Sequence, residues 1–256
     1  MKKVFLRDVK YNVGTKKEAL QEILNRLTKL EKTSYYICVN NVHTSVECIE
    51  NTDFKKINNS SYLSITDGMP LVYYFRYFKG INNIERITGP DLMLDIFKDS
   101  RFNQFNHFFY GSTNQTLNKL ISNLKTDYKE INISGYYSPP FRTLNINEKA
   151  DIIKKINDSN ADFVWVGLGA PKQEEWMSEF SDDLEGKILV GVGAAFDYHA
   201  GNIKRAPIWM QKFSLEWLYR LFQEPKRLFK RYLKTNTKFL FYIIINGFSI
   251  KRGEKK

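Results

Sequence analysis

Phe163–Phe180, FVWVGLGAPKQEEWMSEF, is the stretch that decides the fold. Phe163–Val166 is a short apolar run bounded by glycine, which reads as a buried strand. Gly167 to Glu174, GLGAPKQE, is a polar turn, and Gln173–Phe180 reads as a helix that Pro171 helps to start. Strand, glycine turn and helix follow one another within eighteen residues.

The same succession recurs on both sides. Further candidate strands are Tyr36–Val39, Tyr62–Ile65, Phe105–Tyr110, Ile131–Tyr136 and Ile188–Val192. Helix-like stretches are Lys16–Leu30, Met69–Phe78, Pro90–Phe97, Asn114–Leu124 and Ile146–Ile156; in the first, Ala19, Ile23, Leu27 and Leu30 share a face. This alternation implies an α/β fold with a mainly parallel sheet flanked by helices. Such sheets bind ligands beyond the carboxyl ends of their strands.

Four polar segments follow candidate strands and should converge there: VNNVHT with Asn40, Asn41 and His43; TDGMP with Thr66, Asp67 and Gly68; GLGAPKQE; and GVGAAFDYHAG, Gly191 to Gly201. Gly167 and Gly169 let a backbone approach a diphosphate, the helix start that follows favours anions, and Lys172 and Gln173 can add donors. A tight turn with no ligand explains the same residues. Lys172 occupies the third position of GxGxxG, and GxxxxGK[ST] is absent, which argues against dinucleotide-binding and P-loop readings.

Asp67 leaves an apolar strand beside Gly68. It is either the N-cap of the helix Met69–Phe78 or a general base at the edge of a cleft. Asp91, Glu174 and Asp197 compete for the role of base, with His43 and His199 as further options. Arg86, in ERITGPDL, is a candidate anion clamp. No Asp-x-Asp pair is present to hold a divalent metal on a diphosphate, so arginine, lysine and helix N-termini are expected to stabilise such a group instead. Three histidines and two cysteines without zinc spacing argue against a structural metal site, and Cys38 and Cys48 suit a reducing compartment, with a single disulfide between them as the alternative.

The chain of 256 residues carries a net charge of +11, and all of it lies in residues 204–256, which hold 14 Lys/Arg and three acids. The expected division is therefore a neutral α/β body, 1–203, and a basic helical appendage, 204–256. Ile208–Phe222 reads as one helix and Pro225 as the first turn of another. Arg227, Arg231, Lys234 and Lys238 form a stripe, with Leu228, Phe229, Tyr232, Leu233, Phe239 and Leu240 roughly opposite. Phe239–Ile250 is too short to span a bilayer and suits its interface. An anionic membrane surface is the expected partner. No nucleic-acid module signature is present, and a helical hairpin packed on its own body is the alternative. The N-terminus lacks a signal-peptide core, and Lys251–Lys256 is expected to be disordered.

Together TDGMPLV, ERITGPDLM, FFYGST, ADFVWVGLGAPKQEEWM and the long run from Gly191 to Leu233 resemble the WecG/TagA/CpsF glycosyltransferases, over about Tyr35 to Tyr232. The resemblance implies a Rossmann-like body, no metal or other cofactor, and a C-terminal appendage that completes the site at the cytoplasmic face of the bacterial membrane. It implies an inverting transfer of N-acetylmannosamine or a related hexose from a UDP-sugar to an undecaprenyl-diphosphate-linked sugar, in teichoic acid, capsule or similar synthesis. Carried over by motif, the base falls on Asp67 and the first-loop asparagine on Asn41, with Asn40 adjacent. The remaining contacts fall on Arg86, Gln173, Arg220, Arg227 and Arg231. Val39 stands where the family has threonine. The substrate-binding set expected from residues and resemblance together is Asn41, Arg86, Gly167, Gly169, Lys172, Gln173, Asp197, Arg220, Arg227 and Arg231. A nucleotide-dependent oxidoreductase and a non-enzymatic basic scaffold are the rival readings; the oligomeric state is open, homo-oligomer included.

Overall fold

The computed structural model describes residues 1–29 and 32–253, with side chains to residue 245. Leu30, Glu31 and Glu254–Lys256 therefore lie outside the described residues.

The chain opens with a hairpin, β1 (Lys2–Leu6) and β2 (Val9–Val13), then α1 (Lys16–Leu27). Next come β3 (Tyr35–Asn40), α2 (Val42–Glu50), α3 (Thr52–Ser60), β4 (Leu63–Thr66), α4 (Met69–Lys79) and α5 (Gly89–Lys98). β5 (Asn106–Gly111), α6 (Asn114–Asp127), β6 (Asn132–Tyr137), α7 (Ile146–Asp158), β7 (Phe163–Gly167), α8 (Lys172–Phe180), β8 (Ile188–Gly191) and α9 (Ala195–His199) complete the body. α10 (Ile208–Lys212), α11 (Glu216–Gln223) and α12 (Pro225–Gly253) follow.

All six expected strands form, and they build one six-stranded sheet in the order β4-β3-β8-β7-β5-β6. Every neighbouring pair in it is parallel. The period of two sorts the side chains onto its faces. Ile37, Val39, Phe109, Phe163, Trp165, Ile188 and Val190 join one core with α1, α5, α6 and α9. Tyr36, Cys38, Phe108, Tyr110, Val164, Val166 and Leu189 join the other with α7 and α8. Burial of both faces explains why these strands read as unbroken apolar runs. Cys38 and Cys48 are buried and free.

A third core is not built on the sheet faces. The hairpin contributes Leu6, Val9, Tyr11 and Val13, α2 and α4 contribute Val46, Leu71 and Phe75, and α12 contributes Phe239. Side chains join the hairpin to β4: Ser64 N donates to Asn12 Oδ1 at 2.9 Å, and Ser64 Oγ to Lys10 O at 2.7 Å.

Two expectations about the C-terminal segment change. Ile208–Phe222 is two helices, because Ser214 takes the left-handed conformation, φ 64°, between α10 and α11. The apolar side chains of α12 do not form one side either. Leu228 and Phe239 are buried, Phe239 in the third core, whereas Phe229, Leu233 and Leu240 are exposed. The basic stripe turns inward in part, with Lys238 Nζ donating to both carboxylate oxygens of Glu50 on α2, at 2.5 and 2.7 Å. Lys251–Gly253, expected to be disordered, continue α12. No helix among the described residues is long and apolar enough to cross a membrane.

Candidate active site

The segments after β3, β4, β7 and β8 converge, as the strand-end rule requires, on a cavity of 430 Å³. Asn41, Asp67, Gly169, Gln173 and Gly191–Ala195 line it from the body, and Glu216, Arg220, Arg227 and Arg231 from the C-terminal helices. A broader open depression between β6 and α7 is lined by Lys154 and Asp158, which pair with each other.

Asp67 is fixed by the backbone. Its N–H donates to Asn40 O at 2.6 Å, extending the β3–β4 ladder by one residue. Gly68, with φ 149°, then turns the chain into α4 and itself occupies the N-cap, where no side chain caps the helix. The carboxylate of Asp67 is thus not spent on capping, which sets aside the structural alternative. Arg86 reaches it because Ile87 N donates to Thr66 O at 2.9 Å, laying the segment before α5 against the end of β4. Arg86 Nη2 stands 3.5 Å from Asp67 Oδ1.

Burial pushes the Asp67 carboxyl up to about 6; Arg86 works against this, and Glu216 and Asp91 add to it. Its side chain keeps 23% of its surface, open to the cavity. A carboxylate in this state can hold and release a proton near neutral pH. Asp91 is in the opposite condition. Burial works against its charge, yet pairing with Arg205 and the hydroxyl of Thr88 holds it at about 2. Glu174 lies beneath the cavity wall, where burial raises it to about 7, and its Oε1 accepts from Gln173 Nε2 at 2.9 Å. His43 lines the cavity from the first turn of α2, and its buried Nδ1 has no hydrogen-bond partner. His199 faces Pro90 O at 3.1 Å and does not line the cavity.

The remaining expected residues divide. Asn41 lines the cavity and caps α2, accepting from His43 N and Thr44 N, whereas Asn40 is buried and donates to Asn58 and Ser64. Gln173 lines the cavity, but its Oε1 accepts from Gly169 N at 3.1 Å, so that backbone N–H is engaged. Gly167, Lys172 and Asp197 stand outside the lining. Gly167 is explained by packing: a Cβ there would meet the Phe196 ring at 2.5 Å. Lys172 is exposed at the start of α8, and Asp197 accepts from Asn202 Nδ2 at 3.1 Å.

Arg220 lies over the Tyr198 ring at 5.5 Å, and both Arg220 and Arg227 pair with Glu224. Sequence reasoning missed Glu216, which lies at the start of α11 and pairs with Arg86. The available signal was an acid among the fourteen bases of the tail. Among the described residues, no group of three or more His, Cys, Asp or Glu could hold a metal ion.

Fold and cleft define an α/β protein that gathers its polar groups beyond the carboxyl ends of a parallel sheet, under a cationic helical cover. The chain belongs to the glycosyl transferase WecG/TagA/CpsF family, whose model matches residues 4–253. It is similar to the N-acetylglucosaminyldiphosphoundecaprenol N-acetyl-beta-D-mannosaminyltransferase of Bacillus subtilis (strain 168), 29% identical over 198 residues, 77% of this chain and 75% of the relative. The enzymes of the same description from Bacillus spizizenii and Staphylococcus aureus (strain MW2) are also 29% identical, over 75% and 77% of this chain and 72% and 74% of theirs. The chain is accordingly a hexosyl-transferring glycosyltransferase, and the oxidoreductase and scaffold readings fall away.

Proposed function

We propose that this enzyme transfers N-acetylmannosamine or a related hexose from a UDP-sugar to an undecaprenyl-diphosphate-linked sugar, with inversion, in cell-surface polysaccharide synthesis. The observation that carries the reading is the position of Asp67. It is a carboxylate poised near neutrality, in the same cavity as three arginines from the C-terminal helices.

In this reading Asp67 takes the proton of the acceptor hydroxyl as its oxygen bonds to the anomeric carbon. The bond from that carbon to the UDP oxygen breaks on the opposite face, and its electron pair leaves with the diphosphate. One base suffices, and no covalent intermediate forms. Arg220, Arg227 and Arg231 stabilise the departing charge without a metal ion. Asn41 and Gln173 contact the sugar or nucleotide.

The enzyme works, in this reading, on the inner face of the bacterial membrane. Phe213, Phe222, Phe229, Leu233, Leu240 and Ile244 are all more than half exposed, with Lys226 and Lys230 beside them. Each such lysine contributes about 1 kcal/mol near anionic lipid, and the apolar side chains add more when they enter the interface.

The test is transfer from a panel of UDP-sugars to a short-chain lipid-diphosphate sugar, with and without EDTA. Turnover with a UDP-hexose that EDTA leaves unchanged supports the reading. Transfer with no UDP-sugar, or loss of turnover in EDTA, overturns the donor or the metal-free step respectively.

A further inference from the structure

Glu216 has no role in the proposed reaction, yet it is the acid that the C-terminal helices insert into the cavity beside the base. Its Oε2 pairs with Arg86 Nη2, the same nitrogen that stands 3.5 Å from Asp67 Oδ1, and its Oε1 lies 3.7 Å from Arg205 Nε. Its side chain is only 13% exposed. Arg205 is in turn engaged by Asp91.

Three carboxylates, Asp67, Asp91 and Glu216, therefore share two guanidinium groups, Arg86 and Arg205. Asp91 holds Arg205 through two guanidinium nitrogens. Glu216 holds Arg86 much more closely than Asp67 does. Asp67 is left with the weakest pairing, one long contact. Tyr198 and Arg220 stand on this side of the cavity, and His43, Arg227, Arg231 and Tyr232 face them from α2 and α12.

We infer that Glu216 is a positioning residue: by drawing Arg86 to itself, it keeps the Asp67 carboxylate free to accept the proton of the attacking hydroxyl. The inference rests on the reading of Asp67 as base. Without Glu216, Arg86 has one close carboxylate left to neutralise, and Asp67 becomes an ordinary ion-pair partner and a poor base. Because Glu216 opens α11 and Arg205 lies in the segment before α10, docking of the C-terminal helices prepares the proton acceptor as well as covering the leaving group. The two functions come from successive turns of one helix, Glu216 and Arg220.

The experiment is the pH dependence of transfer by the full chain, in the wild type, Glu216→Gln and Asp67→Asn. In Glu216→Gln the acid-side rise of kcat moves down by about one pH unit or more, and the plateau falls because the base is weaker. A residue that only held the helix in place would lower the rate by one factor at every pH. An unmoved rise, with Asp67→Asn inactive, overturns the inference and leaves the base standing. Near wild-type turnover in Asp67→Asn removes the base itself. Glu216→Asp keeps the charge but withdraws it by one methylene; it shifts the rise less and in the same direction. If Glu216→Gln does not fold, an unmoved rise in Glu216→Asp overturns the inference.

Discussion

Leu228 and Phe239 on α12 are both buried against the rest of the chain, 0% and 2% exposed, while their immediate neighbours Phe229 and Leu240 are 57% and 59% exposed. The helix thus has two apolar faces with different tasks. One anchors it beside the cavity, whose lining includes Phe239; the other is exposed, and is the face proposed above to meet lipid. Phe239→Ala removes a buried ring from the third core, at a cost of about 3–5 kcal/mol. The α/β body has its own two cores and should stay folded. The expected outcome is a large fall in kcat with faster proteolysis between residues 200 and 226, while circular dichroism of the body is retained. Unchanged kcat in Phe239→Ala would show that docking of α12 is not needed.

On the proposed reading, Asp67 sets the pH dependence of the rate. The base must be ionised to accept a proton, so kcat should rise with pH through about 6 and level off above it. Stability runs the other way. A carboxyl raised from 3.8 binds its proton more tightly in the folded chain, so its contribution is full below about 4 and is lost as pH rises through about 6. Asp67→Asn should therefore lower kcat by about 10²–10⁴-fold while making thermal stability less sensitive to pH between 4 and 6. A pH–rate profile and melting curves across the same range check both signs.

Glu174 offers a second titration, at a carboxyl outside the lining of the cavity. Burial lifts it to about 7, and its Oε2 has no partner. Above that pH the fold must hold a buried charge, so its contribution to stability is lost as pH rises through about 7. Glu174→Gln removes the ionisation and keeps an oxygen for Gln173 Nε2. Its melting temperature should exceed that of the wild type at pH 8.5 and not at pH 5.5. Equal differences at the two pH values would show that Glu174 does not titrate in this range.

Residues Gly167 and Gly169 separate packing from conformation within the motif that decides the fold. Gly167→Ala drives a Cβ into the Phe196 ring and should cost about 1–3 kcal/mol, partly restored by Phe196→Leu. Gly169 has nothing within 4 Å of a Cβ but takes φ 78°, so Gly169→Ala should cost about 1 kcal/mol with no rescue at Phe196. Denaturant unfolding of the single and double variants measures the coupling.

These contrasts show what the sequence could carry. The central strands were legible because both their faces are buried, so Phe163–Val166 and Ile188–Val190 are continuous apolar runs; the edge strand β6, with no fully buried side chain, shows only a mixed one. The hairpin was harder to read: Val9, Tyr11 and Val13 alternate with Lys10 and Asn12 as a half-buried strand requires, but over five residues only and without an unbroken apolar run. Lys10 is nonetheless buried, its Nζ donating to Asn59 O at 2.8 Å, a contact visible only after folding. α2 and α3 were missed as short helices of mixed polarity, although Asn41 and Asn51 cap them. Asp67, Asn41, Gln173 and the tail arginines were readable from motifs. Glu216 was not, because its meaning lies in Arg86, 130 residues away.

The cationic cover gives the last prediction. Arg227 and Arg220 share Glu224 as an ion-pair partner, but Arg220 is 19% exposed against 56% for Arg227, and its guanidinium carbon lies 5.5 Å from the centre of the Tyr198 ring. Burial works against the Arg220 charge, yet Tyr198, Tyr232 and Glu224 together raise its pKa, so it is a fixed cation in the wall of the cavity. A preorganised charge is worth most where charge develops, in the transition state. Arg220→Ala should therefore lower kcat by about 10²–10³-fold with little change in KM for the UDP-sugar. Arg227→Ala, which removes a more exposed and more strongly screened cation, should act more on KM and lose its effect in high salt. Arg220→Lys keeps the charge but not the guanidinium fork that reaches Glu224, and should recover only part of the rate. Equal losses in kcat for Arg220→Ala and Arg227→Ala, with the same salt dependence, would mean that burial of Arg220 contributes nothing to catalysis.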